Sequence, residues 1–324
     1  MKIGIYGYGN LGRGVETAVW HNPDMETAAV FTRRDPKDVQ TYGAPVYSAD
    51  QATDFKDKID VMIICGGSAT DLPEMTPMLA KNFNIVDSFD THAKIPEHFA
   101  KTDKAAKDSG HIALICAGWD PGLFSLARLY FSSVMPVCTT YTFWGKGVSQ
   151  GHSDAIRRIE GVTNARQYTL PVPEALERVR AGENPTFTPR EKHRRDCYVS
   201  VAEGADKERI KHEIITMPAY FADYDTTVTF VSEDEIIKNH SALPHGGHVL
   251  CSCRTGQHNE NLQKAEFTLS LESNPEFTAS VITAGARAMH KMHARGITGC
   301  KTMLDIPPAD LSALSDEELR KSLL

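Results

Sequence analysis

The chain has 324 residues, 41% of them hydrophobic, which is enough for two ordinary buried cores and unlike the composition of a disordered segment. Its net charge of -7 and the absence of a long Lys/Arg block argue against nucleic acid as a partner, because a phosphate backbone is bound by concentrated positive charge. No apolar stretch reaches the roughly 18–20 residues of a membrane span, and a glycine loop stands where a signal peptide needs a continuous apolar region, so no membrane contact and a cytoplasmic location are expected.

The opening "MKIGIYGYGNLGRGVE" reads as a strand over residues 3–6, a glycine turn, and a helix running to about residue 20. Gly7, Gly9 and Gly12 fit G-x-G-x-x-G. In that setting the glycines allow a tight turn, a close approach of backbone to a pyrophosphate, and a helix N-terminus aimed at the anion. Gly7, Tyr8, Gly9, Asn10, Leu11 and Gly12 are therefore expected to line a dinucleotide. The next strand, "TAAVFTRRD", ends at Phe31. An NAD-binding unit usually places an acid there for the ribose 2′-hydroxyl, but here the place is taken by Thr32, Arg33 and Arg34. A hydroxyl and two guanidinium forks suit a 2′-phosphate, so NADP is the expected cofactor. The other reading of the two arginines is a solvated turn, with Asp35 as a partner for one of them.

"DVMIICG" is a continuous apolar run of the kind buried on both faces of a parallel sheet. It leads into "GSATDLPEM", a loop and helix start with Thr70 or Asp71 as cap and Pro73 in the first turn. Cys65, Gly66, Ser68 and Ala69 in this loop join the expected cofactor residues. "NIVDSFD" and "HIALICAGWD" add two short strands, separated by the helical "EHFAKTDKAAKDSG". Alternating strand and helix through residue 118 predicts a Rossmann-type, doubly wound parallel sheet, whose ligands bind at the carboxyl ends of its strands. Asp90 and Asp120 stand at two such ends; Asp120, before Pro121, also fits a helix cap.

From about residue 120 longer β-like runs, "TTYTFWG", "RQYTLPV", "DCYVSVAEG", "TTVTFVS" and "GHVLCSC", interleave with the helical "PEALERVRAG" and "DKERIKHEIITMP". They predict a second α/β domain with a mixed sheet. The expected division is a dinucleotide-binding domain over residues 1–118, a substrate-binding and dimerisation domain over 119–276, and a segment over about 277–324 that returns to the first. The seven scattered cysteines do not resemble a disulfide framework, and reduced thiols are expected. In "HGGHVLCSC", His245, His248, Cys251 and Cys253 could supply four metal ligands. Strand alternation places both cysteines on one face with no second cysteine pair to close a tetrahedral site, so no metal is expected.

The stretches "CGGSATDLPE", "DSFDTH", "GWDPGLFS", "FWGKGVSQGHSDAIRRI", "QYTLP", "LPHGGHV" and "SNPEFTAS" together resemble the meso-diaminopimelate dehydrogenase family, over nearly the whole chain. The resemblance implies an NADP-dependent homodimeric enzyme that oxidises the D-centre of meso-2,6-diaminopimelate to an imine, hydrolysed to L-2-amino-6-oxopimelate and ammonia. It implies Asp90 and Asp120 as catalytic contacts to the reacting amine. Trp119, Phe143, Trp144, Gln150, Gly151, Thr169, Arg195, His245 and Asn274 are implied as further substrate contacts. Arg195, Thr169 and His245 would form a carboxylate clamp for the far L-centre, and Trp144 would wall the aliphatic chain or serve as a core aromatic. Arg194 competes with Arg195 for the clamp, since strand alternation sends the two to opposite faces. Other readings are a dihydrodipicolinate-reductase-like or saccharopine-dehydrogenase-like enzyme, a metal-dependent hydrolase, and a non-enzymatic NADPH sensor.

Overall fold

The structure, a computed structural model, describes residues 1–135 and 137–324. The chain forms two compact units, Met1–Leu126 with Pro275–Leu324, and Ala127–Asn274. In the first unit β1 (Lys2–Tyr6), β2 (Glu26–Thr32), β3 (Val46–Ser48), β4 (Val61–Ile64), β5 (Ile85–Asp87) and β6 (Ile112–Leu114) alternate with α1 (Asn10–Trp20), α2 (Leu72–Leu79) and α3 (Ile95–Ser109). The short apolar strands pair in parallel because each is covered on both faces: Ile3, Ile5 and Ile63 face one core, while Met62, Ile64 and Ile85 face another. α4 (Leu123–Val134) leads out of the unit.

In the second unit β8 (Gly147–Val148), β9 (Val162–Pro171), β10 (His193–Val201) and β11 (Asp225–Phe230) form a mixed sheet, in which only β10 and β11 run parallel. An antiparallel sheet joins β7 (Tyr141–Trp144), β12 (His245–Thr255) and β13 (Asn261–Leu271). β13 was not among the predicted strands, although "AEFTLSL" alternates from Ala265 to Leu271. α5 (Gln150–Arg157) packs on β9. Back in the first unit, β14 (Gly299–Lys301) completes the parallel order β14-β6-β5-β4-β1-β2-β3. The returning helix Asn274–Ala294 buries Ala279, Ile282, Ala286 and Met289 in the core of β1 and β2.

One cysteine expectation is corrected. Cys138 and Cys253 form a disulfide with Cα atoms 5.1 Å apart, across a sequence separation of 115 residues that no local spacing rule registers. Cys253 is thereby removed from any thiolate set. Among the described residues no helix is long and apolar enough to cross a membrane.

Candidate active site

In this strand order β1 and β4 are paired neighbours from which the strand order runs outward in opposite directions, to β2 and to β5, which makes their carboxyl ends the switch point where such folds bind ligands. The three glycines there serve three purposes. Gly7 has φ +97, and a Cβ on it would stand 2.7 Å from the Cys65 carbonyl oxygen. A Cβ on Gly12 would lie 2.3 Å from the Gly7 carbonyl oxygen, so helix and turn touch. A Cβ on Gly9 would meet nothing within 4 Å. Gly9 caps α1 without a side-chain bond, and no acid stands in the first turn, so the first amides of the helix are available to an anion.

The residues after β2 close around this turn. Thr32 is buried and its Oγ1 accepts the Arg34 N–H at 3.1 Å; the Arg34 Nη2 donates to the Tyr8 carbonyl at 2.6 Å. Arg33 is exposed and pairs with Asp71 at 3.0 Å. Asp71 also accepts the Gly67 N–H, and that bond, with Arg33, holds its carboxyl below the usual range. Gly7, Arg33, Cys65 and Gly66 line one cleft, with Tyr6, Phe31 and Met75. Burial pushes the Cys65 thiol up to about 12, so it is a neutral wall and not a nucleophile. The Tyr8 side chain is buried and donates to Glu16, so its backbone is what faces the turn. Asn10 is exposed and Leu11 packs partly on the core.

Asp90 is exposed three residues beyond β5, and its N–H donates to the Ser68 hydroxyl at 2.9 Å. This bond joins an expected cofactor residue to an expected substrate residue; Ala69 beside Ser68 is exposed. Beyond β6, Trp119 is buried, bridges to Gly122 and meets Phe124 edge-on at 5.1 Å. Helix α4 starts at Leu123, which places Asp120 two residues ahead of the cap position.

In the second unit, strand register assembles the next cluster. Arg195 of β10 pairs with Thr169 of β9, which pairs in turn with Gly147 of β8. Arg195 is 7% exposed; its guanidinium donates to the Thr169 hydroxyl and lies 4.0 Å over the Tyr224 ring. Its Nε is buried without a hydrogen-bond partner, burial pulls its pKa below the ordinary value, and among the described residues no carboxylate pairs with it. Arg194 points to solvent. The His245 ring fills the space over Gly147, where a Cβ would come within 2.5 Å of it. Its Nδ1 lies 2.8 Å from the Gly246 nitrogen and 3.2 Å from the Gly246 carbonyl oxygen.

Trp144 is 37% exposed and stacks on His193 at 5.3 Å. Phe143 is corrected: it is fully buried, with Phe187 and His193 against its ring, and acts as core. Gln150 and Gly151 are exposed at the start of α5, and Asn274 opens the returning helix, its N–H on the Leu243 carbonyl at 2.9 Å. Three residues escaped the sequence reading. His152 lies in α5, and burial with the Arg195 charge pulls its pKa to about 4. His193 is pulled to about 3 by burial, Lys192 and Arg195. Tyr224, just ahead of β11, reaches Arg195 only through strand pairing. His152 was legible as a neighbour of Gln150; Tyr224 left no local signal.

A dinucleotide-type glycine turn on a parallel sheet, together with a second unit that buries an arginine without a carboxylate partner, is the arrangement of a dehydrogenase-type oxidoreductase. Residues 118–273 match the family model "Diaminopimelic acid dehydrogenase C-terminal domain". The meso-diaminopimelate D-dehydrogenase of Ureibacillus thermosphaericus is 59% identical, covering 100% of this chain and 99% of its own. A crystal structure of a meso-DAP dehydrogenase mutant from Clostridium tetani with DAP matches with a TM-score of 0.94 at 52% identity, over 100% of this chain and 99% of that one. An engineered D-amino acid dehydrogenase bound to NADP+ matches with a TM-score of 0.88 at 40% identity, also over 100% and 99%. The chain belongs to the meso-diaminopimelate D-dehydrogenase family.

Proposed function

We propose that the chain catalyses the reversible, NADP-dependent oxidative deamination of the D-centre of meso-2,6-diaminopimelate to L-2-amino-6-oxopimelate and ammonia. The observation that carries this is Arg195: a buried guanidinium whose neighbours are a hydroxyl and an aromatic ring is a site built for an incoming carboxylate. In this reading Arg195, the Thr169 hydroxyl and the His245 ring hold the L-centre carboxylate, and the exposed Trp144 walls the aliphatic chain. Asp90 and Asp120 accept from the D-centre ammonium, orient it, and take its proton as it becomes the free amine.

The open space at Gly9, the uncapped amides of α1, and Thr32, Arg33 and Arg34 where an NAD site places its acid fit NADP. The α1 amides would hold the pyrophosphate and Arg33 with Arg34 the 2′-phosphate, Arg33 exchanging Asp71 for it. Bound NADP+ supplies the hydride acceptor. The chain's own part is to hold the two ends of the substrate differently, so that its D-centre alone is presented, and to manage the amine proton. A homodimer is part of the same proposal, checked by light scattering of the purified protein.

The test is NADPH formation followed by absorbance with meso-, LL- and DD-diaminopimelate, and with NAD+ in place of NADP+. Turnover of the meso isomer with NADP+ is expected, with little from the LL isomer or from NAD+. Comparable rates with LL-diaminopimelate would sink the half-site assignment; comparable rates with NAD+ would sink the cofactor assignment; binding of NADPH without turnover would return the sensor reading.

A further inference from the structure

Asp87 is the last residue of β5, and its side chain is fully buried. Its acceptor capacity is used on both oxygens. Oδ2 accepts the Thr76 hydroxyl of α2 at 2.7 Å and faces Nε2 of His98, from α3, at 2.7 Å. Oδ1 accepts the N–H groups of Phe89 and Cys116, each at 3.0 Å, and the Asp87 carbonyl accepts the Ala117 N–H at 3.0 Å. One oxygen is thus anchored to two helices while the other grips two loops. Phe89 directly precedes Asp90, and Cys116 stands two residues beyond β6 in the loop that leads to Asp120.

Two further features show how tightly these loops are set. Cys116 has φ +59, a left-handed conformation that an L side chain adopts only under outside constraint, and the bond to Asp87 is made at that residue. The Phe89 ring stacks on His98 at 4.1 Å and 18°, so the Asp90 loop is pinned by side chain as well as backbone. After burial, Asp87 and Asp90 both push the Cys116 thiol up, so the Asp90 carboxylate acts on the second loop at electrostatic range. Pairing of β5 with its neighbours uses backbone alone and has no need of a carboxylate here.

We infer that Asp87 is a positioning residue for the reaction: one buried carboxylate fixes, through the Phe89 and Cys116 amides, the loops that carry Asp90 and Asp120. This rests on the roles of those two residues in the function proposed above. The opposing account is that Asp87 only completes the core, in which case its loss costs stability and leaves the turnover of folded protein alone.

Asp87→Ala removes the acceptor of both amides; Asp87→Asn keeps one oxygen able to accept them and drops the charge. With meso-diaminopimelate, folded Asp87→Ala is expected to lose about 100-fold in kcat, the cost of a misplacement of about an ångström, while the Kd for NADP+ stays unchanged. Asp87→Asn is expected to recover at least about tenfold of that loss. Wild-type kcat in folded Asp87→Ala, or a loss shared by NADP+ affinity and not recovered by Asp87→Asn, overturns the proposal. Should Asp87→Ala fail to fold, Thr76→Val with His98→Leu strips Oδ2 of its anchors and lets the carboxylate turn. A fall in kcat of about fivefold or more at unchanged NADP+ Kd then supports the proposal, and wild-type kcat overturns it. Asp90→Asn and Asp120→Asn are measured beside these: normal kcat in both removes the underlying reading and the inference with it, whereas a loss in both beside an unaffected Asp87→Ala removes the inference alone.

Discussion

Arg195 owes its place to one step of strand phase. On β10 it faces inward beside Thr169 while Arg194 faces solvent, so two adjacent arginines of equal charge have unequal chemistry. Lysine keeps the charge at either position but offers a point donor where a carboxylate needs a planar fork. Arg195→Lys should therefore lower kcat/KM for meso-diaminopimelate by about 10–100-fold, about 1.5–3 kcal/mol of a charge-assisted contact, with NADP+ binding intact. Arg194→Lys should behave as wild type in the same steady-state assay. The reverse pattern would move the clamp to the outer face.

At the scale of elements, the second unit is sensitive to acid for a stated reason. His193 opens β10, and its Nε2 accepts the Trp144 N–H of β7 at 2.8 Å. Burial and the neighbouring Lys192 and Arg195 keep it neutral down to about pH 3, whereas an unfolded histidine takes a proton near pH 6.5. Below pH 6.5 the unfolded chain binds the extra proton, so stability is full above that pH and falls on acidification, by about 1.4 kcal/mol per pH unit for such a group. His193→Gln, which keeps an acceptor for Trp144, should flatten the slope of urea stability against pH between 6.5 and 4; an unchanged slope counts against the assignment. The Cys138–Cys253 bond joins the residues after α4 to β12. Cys138→Ser is expected to cost about 2–5 kcal/mol in oxidising buffer, the range for a loop of this size, and nothing once reductant has opened the wild-type bond. Equal urea midpoints of the two proteins without reductant would show that the bond does not form.

At the scale of the whole molecule, the first unit is discontinuous: its core is completed by a segment that returns after the second unit. Arg287 on that segment is buried and grips Asp24 and Asn22 near the start of the chain. Ile282 is fully buried in the same core, so Ile282→Ala should cost about 2–5 kcal/mol and lower the midpoint at which NADP+ binding is lost in urea. Loss of secondary structure without any shift in that midpoint would mean that the returning helix is not part of the first unit's core.

What the sequence determined by itself is what near neighbours decide. The turn at Gly7, Gly9 and Gly12 was legible because its motif spans six residues, and the parallel sheet because strands covered on both faces read as unbroken apolar runs. Family membership was legible in stretches such as "FWGKGVSQGHSDAIRRI", which carry a chemistry and not only a period. What only the tertiary structure decided depends on register between distant segments. Pairing of β9 with β10 brings Thr169 to Arg195, pairing of β10 with β11 brings Tyr224 over the guanidinium, and the fold closes Cys138 on Cys253. Phe143 and Trp144 both meet the His193 ring, and tertiary neighbours buried the first while leaving the second 37% exposed. Asp87 stood in the quoted "DSFDTH" as one more aspartate, because a buried carboxylate is defined by the four donors around it, and three of them lie 11 or more residues away in sequence.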